Sequence, residues 1–273
     1  MSAQPSTTHR HHLLDTTAEN VLLDLTSEAP LYLHARNWMA EMASIRPLTE
    51  PILDEEQCWL SYPEQGLTLA LAAVRCLHAI AIEHRCRTSL ALEIATRGEP
   101  RSISIAAIPT VSDLDSFSEK LAVHPQTALS PDDYETWRKN HLIRPTACPC
   151  CQEAADERRK NPENNPITRI LCHAIDHRQA LHCTLNANAF KFTQTITPGH
   201  ILLSDKNISI TGDDHRSMLE IDPGLCHSLH IDRRIIDAEK TTRLTIYNSL
   251  GIPELRMETT GWASAAQWQK LCK

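Results

Sequence analysis

Apolar and polar positions along the chain follow two different periods. Leu67, Leu69 and Leu71 alternate with polar or small neighbours, as do Leu90, Leu92 and Ile94, and Ile103 and Ile105. The alternation returns at Leu181, from Ile201 to Ile210, at Leu219 and Ile221, and at Leu244 and Ile246. Period two puts every second side chain on one face, so these runs predict short strands with one buried face, joined as antiparallel hairpins. Between them the period lengthens. Leu114, Phe117 and Leu121 share a helical face behind Ser112. Ser130-Pro131-Asp132-Asp133 combines a cap, a proline at the first helical position and two acids at the positive dipole end, which predicts a helix through Trp137 to about Leu142. A second helix is expected from Pro149 to Asn161, and a third from Asn165-Pro166 with the stripe Ile167, Ile170, Leu171, Ala174 and Ile175. Three helices therefore fill roughly 131–180, and a last one runs from Trp262 to Leu271.

The strand-rich flanks resemble each other. Arg75-Cys76-Leu77-His78-Ala79-Ile80 aligns with Gly224-Leu225-Cys226-His227-Ser228-Leu229 at a spacing of 149 residues, and Gly98-Glu99-Pro100 with Gly251-Ile252-Pro253 at 153. The expected fold class is α+β: a tandem duplication of an antiparallel β-sheet unit with helices, its halves joined by a three-helix segment. The expected repeats are 1–127 and 128–273, the second including the helices of 131–180.

Composition narrows the function. The chain has 273 residues and a formal charge of −7, and no run of lysines and arginines, so the basic footprint of a nucleic-acid binder is missing. The longest apolar stretch, Gly66 to Ile82, is interrupted by Arg75 and His78 and is too short to insert in a membrane. The first fifteen residues are polar, with His9, His11 and His12, and hold no apolar secretory core, so a cytoplasmic location with reduced thiols is expected. Fifteen histidines and ten cysteines against twelve aromatic residues point to metal chemistry.

Several runs together resemble the haemin-degrading factors, the haem-utilisation family of the HemS/ChuS/ChuX kind. Gly212 to Gly224 followed by Ser228-Leu229-His230-Ile231-Asp232-Arg233 is similar to the family's approach to its "FNLHLR" strand. Thr242 to Gly251 is similar to its "SLELFDADG" hairpin, and Trp268 stands in the terminal helix. In the first half, Ala35-Arg36-Asn37 resembles the "TRN" signature, Cys76 to Ala81 the "W-x-H-x-F-A" strand, and Ser89 to Gly98 the "SLQFFDxxG" hairpin. The resemblance implies a haem site near the helical connection and a protein that traffics, stores or oxidatively degrades haem. If it is catalytic, it would be a haem-degrading oxidoreductase drawing electrons from an external reductant.

A haem site needs an axial donor and cationic partners for the propionates. His141 is the candidate donor on its helix, Arg36 the candidate cation, and Cys148 a second donor because the following proline leaves its sulfur exposed. His78 and His227 are expected at equivalent strand positions, as packing residues. A different reading uses Cys148 and Cys151, spaced Cys-x-x-Cys, with His173 and His177, which lie four apart on one helical face. If their helices are antiparallel neighbours, these four could hold zinc in a non-haem relative. A third reading is a ligand-free structural or dimerisation module. The sequence leaves the oligomeric state open.

Overall fold

Two capping signals are realised where the sequence placed them, while Ser112 lies outside the described residues. In the computed structural model, which describes residues 8–84, 87–97, 99–108, 114–142 and 149–272, the Ser130 hydroxyl accepts the Asp133 N–H at 3.1 Å, and the Asn165 side chain accepts the Ile167 N–H at 2.9 Å. Each satisfies an N–H that a helix start leaves without an intrahelical partner.

The chain divides into two units. The first comprises residues 1–35, 44–144 and 188–190, and the second 36–43, 145–187 and 191–273. Along the first half run β1 (Thr8–Leu14), α1 (Ala18–Asp24), β2 (Ser27–Arg36), β3 (Ala40–Leu48), β4 (Ile52–Asp54), β5 (Trp59–Tyr62), β6 (Leu67–Ala70), β7 (Val74–His84), β8 (Arg87–Thr96), β9 (Glu99–Ala107), α2 (Leu114–Ala122), β10 (Gln126–Leu129) and α3 (Pro131–Leu142). Then follow α4 (Pro149–Arg159), α5 (Pro166–Asp176), β11 (Leu181–Asn186), β12 (Phe190–Ile196), β13 (Pro198–Leu203), β14 (Ile208–Gly212), β15 (Ser217–Ile221), β16 (Ser228–Ile236), β17 (Glu239–Tyr247), β18 (Pro253–Thr260) and α6 (Ala263–Leu271).

In the first unit the strands run β10-β1-β7-β8-β9-β2-β3, with β6-β5-β4 as a smaller set; in the second they run β16-β17-β18-β11-β12, with β15-β14-β13. The recorded strand pairings are antiparallel. Alternation buries Leu92, Ile94, Ile103 and Ile105 in the first unit with Phe117 and Leu121 of α2, and Leu244, Ile246, Leu255 and Met257 in the second with Trp268 of α6. Each such side chain contributes about 1.5–3 kcal/mol by leaving water.

The ladders of the two units match residue for residue. His78 lies opposite Glu93 and Leu77 opposite Ile94; His230 lies opposite Thr245 and Leu229 opposite Ile246. The constant shift is 152 residues. Both second hairpins also break register at the matching place, after Ile94 and after Ile246. His78 therefore corresponds to His230. His227, aligned with it by sequence, precedes β16 altogether.

Other expectations change with the hydrogen bonding. The long stretch of the first unit runs to residue 144, with β10 paired to β1 and α3 packed on β9. The run Ile201–Ile210 is two strands, parted by a turn in which the Ser204 hydroxyl accepts the Asn207 N–H at 3.0 Å. Leu71 leaves β6 for a 3-10 turn. The polar N-terminal run becomes β1, held on both edges by β10 and β7.

The exchanged segment 36–43 is fixed by one fully buried side chain. Asn37 Nδ2 donates to the carbonyls of Asn186 (2.7 Å) and Glu254 (2.8 Å), while its Oδ1 accepts the N–H groups of Met39 (3.0 Å) and Ala40 (2.9 Å). The carboxamide is saturated, and all four partners are backbone. Beside it, Asp222 N–H donates to Met39 C=O at 2.9 Å. Asn37→Ala would strand several buried backbone groups at once, each worth about 1–3 kcal/mol. Urea unfolding should show a loss of about 3 kcal/mol, whereas Trp38→Phe next door should change little.

Candidate functional site

Three adjacent strands of the first unit put polar side chains on one face. His78 on β7 lies opposite Glu93 on β8, and His11 on β1 lies opposite Ile80, two residues along β7 from His78. Diagonal neighbours across an antiparallel pair share a face and come within reach of rings. The result is a three-ring cluster closed by Tyr134 from the first turns of α3. The Tyr134 ring stacks on His11 at 3.7 Å between centroids and on His78 at 4.9 Å, and the two imidazoles lie 5.2 Å apart and nearly parallel. His78 is fully buried and its Nδ1 stands 3.3 Å from Glu93 Oε2. The cluster docks α3 on the sheet and leaves no slot between its rings. The sequence pattern assigns His78 to packing and singles out neither His11 nor Tyr134: His11 had only a histidine-rich run without apolar alternation as its signal, and Tyr134 had none.

The expected site residues fall in different places. Cys148 lies outside the described residues. His141 is on α3, and its side chain also lies outside them. Arg36 ends β2, and its Nε pairs with Glu41 at 2.9 Å, both side chains about a quarter exposed (29% and 25%). A guanidinium already engaged by a carboxylate offers little net charge to a propionate. The Arg-Asn pair thus divides its work: Asn37 fixes the turn, and Arg36 makes a partly exposed ion pair.

The zinc set is not assembled among the described residues, where no three His, Cys, Asp or Glu side chains converge on a metal position. The helices carrying them have different partners. On α4, Arg159 forms a two-pronged pair with Asp222 (Nε–Oδ1 2.9 Å, Nη2–Oδ2 2.7 Å) and Arg158 donates to the Gly224 carbonyl at 2.6 Å, which docks the helix on the 223–225 turn. The neighbouring carboxylate raises the Arg159 pKa further. By contrast, α5 packs on β13 and α6. Cys151 is exposed on α4. On α5, His173 and His177 stack at 4.1 Å, and His177 Nδ1 lies 2.8 Å from the His173 carbonyl, so these two do meet, as their spacing predicts. Burial, then Asp176, raises the Cys172 thiol pKa and keeps it protonated. Deep burial pushes the Cys183 thiol up to about 12.

The chain has the fold of haem-degrading and haem-binding proteins. The heme-degrading enzyme ChuS of Escherichia coli O157:H7 superposes with a TM-score of 0.69 at 12% identity, over 96% of this chain and 86% of that one. The holo form of PhuS, a heme-binding protein from Pseudomonas aeruginosa, gives 0.69 at 11% identity, over 97% and 86%. No protein-family model matches the sequence, and no curated protein matches it. The likeness is one of fold.

Tyr134→Ala should loosen α3, since each aromatic pair is worth about 0.5–1.5 kcal/mol. Amide exchange in α3 should quicken about tenfold or more, while β17 and β18 stay unchanged. Burial, then the His177 charge, lowers the His173 pKa below the ordinary 6.5. The folded state thus binds fewer protons than the unfolded chain, so stability is lost as pH falls through 6.5. An NMR titration should find His173 protonating below that value, and His177→Ala should raise it.

Proposed function

We propose that this chain is a divergent member of the haemin-degrading factor family and binds haem in the cytoplasm, for trafficking or storage. The carrying observation is the fold, shared over nearly the whole chain with the heme-degrading ChuS and the heme-binding PhuS at a TM-score of 0.69. A tandem duplication of one sheet-and-helix unit supports the same reading. Its evidence is the constant 152-residue shift between ladders, the matching register break, and the helices α3, α4 and α5 between the matched sets of strands.

The fit to haem rests on donor chemistry. His141 offers an imidazole on α3, and Cys148 a thiol before Pro149; either would hold the iron. Arg36 would serve a propionate only by giving up Glu41. When bound, haem iron supplies the redox and oxygen chemistry, with electrons from an external reductant, and the protein supplies the ligand and its orientation. Within the chain, the work falls to α3: the stack of Tyr134 on His11 and His78 anchors the helix that carries His141.

Adding hemin should give a Soret shift saturating at one equivalent, lost in His141→Ala or in Cys148→Ser, according to which is the ligand. A single zinc per chain with no Soret shift would favour the zinc reading at Cys148, Cys151, His173 and His177, and neither signal a ligand-free module.

A further inference from the structure

The two units cover matching sheet edges differently. In the first, β1 lies along β7, pairing Thr8 with Glu83, Arg10 with Ala81, His12 with Ala79 and Leu14 with Leu77. The residues 152 positions further on are Ile235, Arg233, Ile231 and Leu229 of β16, and among the described residues no strand pairs with that edge.

The hairpin shows which backbone groups the edge presents. β16 and β17 are joined by two residues, Asp237 and Ala238, both at positive φ (49° and 65°), with Ile236 opposite Glu239. Such a two-residue turn closes on a pair that exchanges both hydrogen bonds, and alternation makes Arg234, Asp232 and His230 face β17 as well. Leu229, Ile231, Arg233 and Ile235 therefore turn their N–H and C=O groups outward. Ile235 is 68% exposed at this edge. A groove of about 630 Å³ beside the strand, between Leu229 and Ile231 and the Ala266 and Lys270 side of α6, leaves room for the side chains of an added strand.

We propose that this edge binds a second copy of the chain, β16 pairing antiparallel with β16 about a two-fold axis. Facing residues must lie on the same side of the sheet, so only registers whose facing numbers sum to an even value are allowed. Charge selects among them. The register centred on Arg233 sets Asp232 against Arg234 twice and Ile231 against Ile235 twice. Centring on Asp232 would oppose two carboxylates, and centring on Ile231 would set Arg233 against Leu229. Within one chain Asp232 and Arg234 already lie on one face, 2.7 Å apart. The chosen register carries one cost, Arg233 facing its own copy across the axis. The proposal is independent of haem.

Sedimentation equilibrium of the full chain between 10 and 200 µM is the test. The expected result is twice the 30.7 kDa chain mass. Arg233→Pro removes an outward donor and spares the β16–β17 bonds, so it should yield a monomer with an unchanged circular dichroism spectrum. Asp232→Arg should weaken the dimer at least tenfold, and adding Arg234→Asp in the same chain should restore it. This charge pair also serves if Arg233→Pro fails to fold. A wild-type monomer throughout, or a dimer indifferent to the charge reversal, would overturn the proposal.

Discussion

One carboxamide ties together stretches of chain more than two hundred residues apart. Asn37 holds the carbonyls of Asn186 and Glu254 with its amide and the N–H groups of Met39 and Ala40 with its oxygen. Residues 36–43 belong to the second unit although the chain before and after them belongs to the first, and residues 188–190 make the reverse excursion, with Ala70 N–H on the Ala189 carbonyl at 2.8 Å. A buried turn of this kind must satisfy every backbone group it takes from water. Asparagine does so here because it carries two donors and an acceptor on one short side chain. Aspartate would lose both donors and face two carbonyl oxygens with a charge.

Local signals were read more readily than distant ones. The starts of α3 and α5 are written in Ser130-Pro131 and Asn165-Pro166, where the capping atom and the capped N–H are two or three residues apart. The strands around Leu92, Ile105 and Leu244 are legible because one face is buried and alternation follows. β1 is not legible, since Thr8–Leu14 is mostly polar and its order comes from pairing on both edges with strands far along the chain. The flanks look alike in sequence, but not in the register that the ladders of β7–β9 and β16–β18 share. Aligning histidines gave His227, while the ladder, which counts hydrogen-bonded pairs, gives His230. Spacing along one helix likewise predicts that His173 meets His177, and says nothing about whether α4 docks beside α5 or on the 223–225 turn.

The site residues follow the same division. In the Arg-Asn pair the asparagine carboxamide holds backbone groups and the arginine pairs with Glu41. The helix that carries His141, α3, is anchored at Tyr134 by two imidazoles, and a Cys-Pro step precedes α4 in the sequence.

Electron paramagnetic resonance of the ferric complex, formed with one equivalent of hemin, addresses the iron directly. Imidazole and thiolate ligation give distinct spectra, and the account predicts a single species with one of these two signatures, abolished by removing His141 or Cys148 respectively. A spectrum identical to that of free hemin, or one unchanged when both residues are replaced, would contradict it.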